Sequence, residues 1–174
     1  MQDILIVVDM QKDFIDGALG TPEAQAIVQK VADKMRGFKG RILATRDTHE
    51  ADYLDSQEGR LLPVSHCIRD TEGWQLHPLV AAQLIEPPVD KPVFGSADLA
   101  LRLQADNERE PIRSITLVGL CTDICVISNA LILRAFLPET SIRVDAACCA
   151  GVTPQSHQTA LAAMKACQVE VDND

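Results

Sequence analysis

Uninterrupted apolar runs mark the chain at Ile4–Val8 and again at Ile115–Val118. Such runs are typical of strands that are buried on both faces of a parallel sheet. Shorter or partly polar runs along the chain predict further strands of the same sheet. We therefore predict six strands, at 4–8, 41–45, 89–93, 115–118, 141–146 and 168–171.

Between the predicted strands, apolar residues recur at the spacing of an amphipathic helix. The clearest helix start is at Thr21 and Pro22, because threonine caps free N–H groups and proline fits the first helical position. The helix that follows ends before the glycines at Gly37 and Gly40. The spacing predicts helices at 22–35, 76–84, 96–106, 123–137 and 154–167.

Strands that alternate with helices predict an α/β fold, a three-layer α/β/α sandwich with a mostly parallel six-stranded sheet. The chain has 174 residues, which is an ordinary length for one domain with a substantial core. No repeat, low-complexity tract or linker divides it. We therefore expect a single domain over residues 1–174.

The net charge of the chain argues against polyanionic partners. A formal net charge of −9 leaves no basic block to neutralise phosphates, so we expect no nucleic acid and no anionic membrane as partner. No apolar run approaches membrane-spanning length, and the first strand begins within three residues of Met1, which leaves no room for a signal peptide. We expect a cytoplasmic protein whose six cysteines are reduced thiols.

Side chains that could take part in catalysis lie in or just after the predicted strands. Asp9 follows the first strand, Lys91 lies in the third, and Cys125 follows the strand that ends at Val118. Sites in open α/β sheets gather at these strand ends. At a strand-to-helix turn, free N–H groups and the helix dipole would lower the pKa of the Cys125 thiol. The alternative is that Cys125 is a small buried core residue, as most free cysteines are.

The order of these motifs resembles the isochorismatase-like cysteine hydrolases and, within them, the nicotinamidases. The resemblance covers essentially the whole chain. The matching segments are Val7 to Phe14, Thr45 to His49, Leu62 to Cys67, Lys91, and Gly119 to Val126.

This resemblance implies a Rossmann-like sheet of six parallel strands and a catalytic triad of Asp9, Lys91 and Cys125. In that triad a thiolate attacks a carboxamide carbon while a carboxylate carries the proton to departing ammonia. It also implies an oxyanion hole built from the backbone amides of Cys121 and Cys125, with a cis peptide bond before Cys121.

The metal pattern departs from the commonest nicotinamidase version. Asp47, His49 and His66 match it, but the middle histidine is missing, and either Asp55 or Glu58 stands near its place. We favour Glu58, because Asp55 lies close to His49 in a segment that turns away. Two histidines and two carboxylates suit Zn²⁺ first, with Fe²⁺ or Mn²⁺ as alternatives. Without a metal, Asp47 would cap the loop and His66 would be a core histidine.

Two aromatic residues are candidates for binding a flat ring. Phe14 follows the first strand, and Trp74 ends a stretch from Glu50 to Gly73 that lacks clear periodicity. Long loops within a compact domain are usually functional. We predict that Phe14 and Trp74 clamp the substrate between them, with core packing as the alternative role.

The leading hypothesis is a hydrolase that cleaves nicotinamide to nicotinate and ammonia through a cysteine thioester, with a metal ion binding the ring nitrogen. The alternative is a metal-independent hydrolase of another small amide or ureido compound. A non-catalytic binding protein would have no need of Asp9, Lys91 and Cys125 together. By analogy with the family we expect a homo-oligomer.

Overall fold

A computed structural model describes all 174 residues of the chain. Six strands form one sheet in the order β3-β2-β1-β4-β5-β6, and every neighbouring pair is parallel. The strands are β1 (Gln2–Val8), β2 (Arg41–Asp47), β3 (Val89–Lys91), β4 (Ile112–Leu120), β5 (Ser141–Ala150) and β6 (Glu170–Asp172).

Seven α-helices connect the strands, together with a 3₁₀ turn at Tyr53–Asp55 and a π turn at Thr122–Val126. The α-helices are α1 (Lys12–Ile15), α2 (Pro22–Gly37), α3 (Gln57–Leu61), α4 (Pro78–Ala81), α5 (Ala97–Arg109), α6 (Ile127–Phe136) and α7 (Pro154–Ala166). None of them has the length and apolar character needed to cross a membrane.

The apolar core lies on both faces of the sheet. One face packs against α5, α6 and α7 through residues such as Leu103 and Leu133. The other face packs against α1, α2 and α4 through residues such as Val31 and Val80. Side chains alternate across each strand, so β1 contributes residues to both clusters. The predicted three-layer α/β/α sandwich is therefore confirmed, and the sheet is wholly parallel.

The structure moves several predicted element boundaries. The predicted helix at 76–84 is reduced to α4, because the chain after Ala81 turns toward Pro87 and Pro88. The fifth strand runs on to Ala150, since Cys148, Cys149 and Ala150 are buried and the last two pair with β4. Both differences arise from tertiary packing, which local sequence does not reveal.

Candidate active site

The carboxyl end of β1 holds a fully buried carboxylate. Asp9 follows Val8 directly, in a left-handed backbone conformation with φ of 46°. Thr45 on the neighbouring strand β2 donates a hydrogen bond from Oγ1 to Asp9 Oδ1 at 2.7 Å. This bond restrains the carboxylate beside Lys91 at the end of β3.

Lys91 ends β3, and its ammonium group lies at the centre of the site. The side chain is 1% exposed, and Nζ lies 2.6 Å from Asp9 Oδ2 and 3.2 Å from Asp47 Oδ1. Nζ also lies 3.4 Å from Cys125 Sγ and donates to the carbonyl oxygen of Val93. A buried charge is costly in the low dielectric of the interior unless it is paired, and here two carboxylates pair with the Lys91 ammonium group.

Cys125 lies in the π turn between β4 and α6. The peptide bond between Leu120 and Cys121 is cis, and the Cys121 N–H donates to no other group of the chain. Gly119 lies just before it with φ of 116°, and a Cβ there would stand 2.1 Å from the carbonyl oxygen of Val8. Only glycine lets β4 approach β1 this closely at the start of the turn.

Asn129 fastens the cysteine turn to the segment that follows Lys91. Its Nδ2 donates to the carbonyl oxygens of Cys125 at 2.8 Å and Phe94 at 3.2 Å, while its Oδ1 accepts the N–H of Ser96. The side chain is 1% exposed, so all of these bonds are protected from water. Asn129 thereby fixes the position of the Cys125 turn relative to the segment that follows Lys91.

The pKa values of the three groups are mutually dependent. Burial raises the pKa of Cys125 well above its ordinary value, and the Asp9 carboxylate raises it further. Burial also raises the pKa of Asp9, against the opposing effect of Lys91. Burial disfavours the charge on Lys91, but Asp9, Cys125 and Asp47 outweigh it and raise that pKa. The sequence-based prediction of a lowered Cys125 pKa is therefore wrong, because the thiol is buried beside a carboxylate.

Four potential metal ligands meet beside the lysine. One ligand atom each from Asp47, His49, Glu58 and His66 lies within 4.8 Å of the other three. His49 Nε2 is 3.0 Å from Asp47 Oδ2 and 3.6 Å from Glu58 Oε1. His66 Nε2 is 3.7 Å from that Asp47 oxygen and 3.9 Å from that Glu58 oxygen.

These separations fit a divalent ion. Ligands about 2.0 Å from a tetrahedral ion stand roughly 3.3 Å from one another. His66 Nδ1 lies 2.8 Å from the carbonyl oxygen of Val64, which leaves Nε2 as the metal-facing nitrogen. Asp55, the alternative fourth ligand, is an exposed residue of the 3₁₀ turn and lies outside the group, whereas Glu58 belongs to it.

Gln11 fixes the backbone of Asp47 through two hydrogen bonds. Its side-chain amide pairs with both backbone groups of Asp47, accepting the N–H at 2.7 Å and donating to the carbonyl oxygen at 2.8 Å. It also donates to the carbonyl oxygen of Trp74. Sequence reasoning missed this role, although a glutamine beside a buried strand end was the available signal. Thr45 and Asn129 were also missed, because uncharged polar side chains do not stand out in the sequence as catalytic candidates.

A cavity of about 620 Å³ opens in front of these groups. Most of its lining is apolar, while Asp47, Glu58, His66 and Cys125 lie together in it. The remaining lining residues are Phe14, Leu19, Thr21, Gln57, Leu61, Leu62, Val93, Phe94, Cys121, Ile124 and Val152. Cys125 therefore shares one cavity with three of the four potential metal ligands.

The predicted aromatic clamp is not what the structure has. Phe14 lines the cavity, with its ring centroid 5.5 Å from that of His66. Trp74 does not line it, because its ring is buried, donates from Nε1 to Thr48 Oγ1 and is covered by the Arg46 guanidinium. Trp74 is therefore corrected to a residue that supports the β2 end, which is the core-packing alternative.

Comparisons with known proteins agree with this fold. The family profile described as the isochorismatase domain matches residues 3–172. An Escherichia coli nicotinamidase is 28% identical over 92% of this chain and 89% of its own length.

Two solved structures are similar over nearly their whole length. A zinc-bound Pyrococcus horikoshii pyrazinamidase is 28% identical, with a TM-score of 0.81 over 98% of both chains. A Bacillus subtilis nicotinamidase/pyrazinamidase is 29% identical, with a TM-score of 0.82 over 99% of this chain and 100% of that one.

Proposed function

The chain belongs to the isochorismatase family, and we propose that it is an amidohydrolase that converts nicotinamide and water to nicotinate and ammonia. The observation that carries the proposal is the contact of Asp9, Lys91 and Cys125 at one end of an apolar cavity. The nicotinamidase and pyrazinamidase activities of the similar proteins support the choice of an aromatic carboxamide.

Cys125 is the nucleophile in this proposal, and Asp9 is its base. Asp9 removes the thiol proton as Sγ attacks the carboxamide carbon, and then returns that proton to the departing nitrogen, so that ammonia leaves and a thioester remains. Water then attacks the thioester carbon, which releases nicotinate and restores the thiol. Burial raises the pKa of both Asp9 and Cys125, so each group binds a proton more strongly than it would in water.

Lys91 balances the charge during these steps. Its ammonium group lies within reach of both Asp9 and Cys125, so it stays paired whichever of the two carries the negative charge. The carbonyl oxygen of the substrate would be held by the backbone N–H groups of Cys121 and Cys125, the oxyanion hole that we propose. The unpartnered N–H of Cys121 supports this role.

Asp47, His49, Glu58 and His66 would hold a divalent ion, for which zinc is our first choice and iron or manganese the alternatives. When bound, the ion supplies a Lewis-acid position for the ring nitrogen of the substrate. Phe14 then contacts the face of the ring from the wall of the cavity.

The test combines metal analysis of the purified protein with ammonia release from two amides. We expect stoichiometric metal and faster hydrolysis of nicotinamide than of benzamide, which has the same carboxamide but no ring nitrogen. Equal rates on the two amides, or a KM for nicotinamide that is unchanged after complete metal removal, would favour the metal-independent amidase instead. Absence of turnover on every amide would contradict the proposal.

A further inference from the structure

The mouth of the cavity is lined by large apolar side chains that are open to solvent. Eleven such side chains are exposed in the whole chain, and five of them line this cavity. Their exposures are 80% for Leu61, 57% for Val93, 48% for Val152, 44% for Phe94 and 37% for Leu62. Exposed apolar residues that cluster at one place typically mark a binding surface, whereas singly scattered ones do not.

These residues reach the mouth from three separate segments. Leu61 and Leu62 end α3, which also carries Glu58, and Val93 follows the strand that carries Lys91. Val152 follows β5, where its N–H donates to the Asp123 carboxylate of the cysteine turn. The mouth is therefore built from the same loops as the catalytic groups and continues directly from them.

The cavity is larger than nicotinamide requires. A volume of about 620 Å³ lies within the range, roughly 300–1,000 Å³, of pockets that enclose drug-sized ligands. Nicotinamide is a single ring with one carboxamide. With its carboxamide at Cys125 and its ring near His66, it would leave the outer, apolar part of the cavity filled with water.

The charge of the lining restricts what can fill that outer part. No lysine or arginine lines the cavity, and its acidic residues are Asp47 and Glu58 at the inner end. A phosphate or carboxylate on the substrate would therefore find no cation at the mouth. The lining favours a neutral, apolar group.

We propose that the preferred substrates are heteroaromatic carboxamides with an apolar substituent on the ring, the substituent being held by Leu61, Leu62, Val93, Phe94 and Val152. This inference rests on the proposed amide hydrolysis and names its substrate class. A propyl group about half removed from water at this mouth should raise kcat/KM about tenfold over nicotinamide.

The experiment compares ammonia release from nicotinamide with release from its 5-propyl, 6-propyl and 5-carboxy derivatives. We expect at least one propyl derivative to exceed nicotinamide about tenfold in kcat/KM and the carboxy derivative to fall below it. In Leu61→Ser and Val93→Ser the ratio of the propyl to the nicotinamide value should fall severalfold. Leu101→Ser, which removes an exposed leucine outside the cavity, is the matched control.

Calorimetry measures the binding of the propyl amides and of nicotinamide to Cys125→Ser, with Cys125→Ala as a second variant. It tests the substrate class separately from the proposed hydrolysis. Tighter binding of a propyl amide than of nicotinamide, without turnover in the wild type, would retain the substrate class and overturn the hydrolysis. Turnover of nicotinamide with no gain from either propyl group would overturn the substrate class alone. It would also be overturned if sedimentation showed that Leu61→Ser dissociates a dimer, since a second copy would then cover the mouth.

Discussion

At the scale of single residues, one carboxylate joins the two halves of the site. Asp47 directs Oδ1 to Lys91 and Oδ2 to the two histidines, so one carboxylate contacts both Lys91 and the group of potential metal ligands. Lys91 and the histidines compete for its charge. A change at either half therefore alters the electrostatic environment of the other.

Removal of the proposed nucleophile is the most direct residue-level prediction. Cys125→Ala should abolish ammonia release and leave the circular dichroism spectrum unchanged, because it removes only the sulfur atom. The matched control is Cys121→Ala, which removes a thiol from the same cavity but keeps the backbone N–H that we assign to the oxyanion hole. Cys121→Ala should stay active. Near wild-type release by Cys125→Ala would refute the assignment.

The base is tested by Asp9→Asn, which keeps the size of the side chain and removes its ability to accept a proton. We expect kcat to fall on the order of 10²-fold or more, as for the loss of a general base. The kinetic split is informative, because a change confined to KM would mean that Asp9 only binds substrate. Far-UV circular dichroism of the variant controls for misfolding around Lys91, which keeps only Asp47 as a carboxylate partner.

The fourth metal ligand is tested by comparing two acidic residues of the same loop. Glu58→Ala should lower the metal content of the purified protein, measured by elemental analysis, because it removes one of four ligand atoms. Asp55→Ala is the control and should keep full occupancy, since Asp55 lies outside the group. The reverse pattern would assign the role to Asp55.

The residues that sequence could identify are those with distinctive chemistry in a distinctive order. Asp9 and Cys125 follow predicted strands, Lys91 lies in one, and the structure brings the three together. Gln11 and Asn129 escaped notice because amides are common and their roles depend on backbone groups distant in the chain. Trp74 was misplaced because its partners Thr48 and Arg46 are known only once β2 is packed.

At the scale of elements, a partly buried ion pair joins α2 to β5. Lys34 Nζ on α2 lies 2.7 Å from Asp145 Oδ2 on β5, and Asn173 donates to the other oxygen. Burial acts to raise the pKa of Asp145, but Lys34 and Asn173 outweigh it and hold that pKa below 3.8. The pair therefore contributes stability only while Asp145 is ionised.

This gives a pH-dependent stability prediction for Asp145→Asn. Near neutral pH the variant should unfold about 2–4 °C below the wild type, as expected for the loss of about 1 kcal/mol. The difference should shrink as the pH falls below about 3.9, where the unfolded state binds a proton, and vanish below the lowered native pKa. Differential scanning calorimetry over pH 2–7 measures it, and a difference that persists at pH 2 would contradict the ion-pair origin.

Element type was predictable from sequence, whereas element ends were not. The apolar run at Ile4–Val8 and the helical spacing after Pro22 each gave the correct element. The helix predicted at 123–137 begins instead as a π turn, because the chain must bring Cys125 beside Lys91 before it enters α6. Such distortions serve the site and leave no periodic signal in the sequence.

At the scale of the whole molecule, the central strands belong to both halves of the core. Ile4 and Ile6 of β1 pack on one face, and Leu5 and Val7 pack on the other. Neither face can lose its packing without exposing the same strand. We therefore propose that residues 1–174 unfold as one cooperative unit.

Thermal unfolding followed by two probes checks this proposal. Far-UV circular dichroism reports on the helices of both layers, and the fluorescence of Trp74, the single tryptophan, reports on the site loops. The two midpoints should coincide, because Trp74 is buried against the end of β2. A fluorescence midpoint several degrees below that of circular dichroism would show that the site loops melt separately.

The two edge strands, β3 and β6, are only three residues long. Pro88 and Pro92 bracket β3, and proline has no N–H with which to extend a ladder. Glu170 and Asp172 on β6 would meet like charges if two such edges paired. Neither edge can template another strand, so native molecules should resist growth into fibrils. A homo-oligomer would therefore assemble through helices and loops, without a sheet continuous across its subunits.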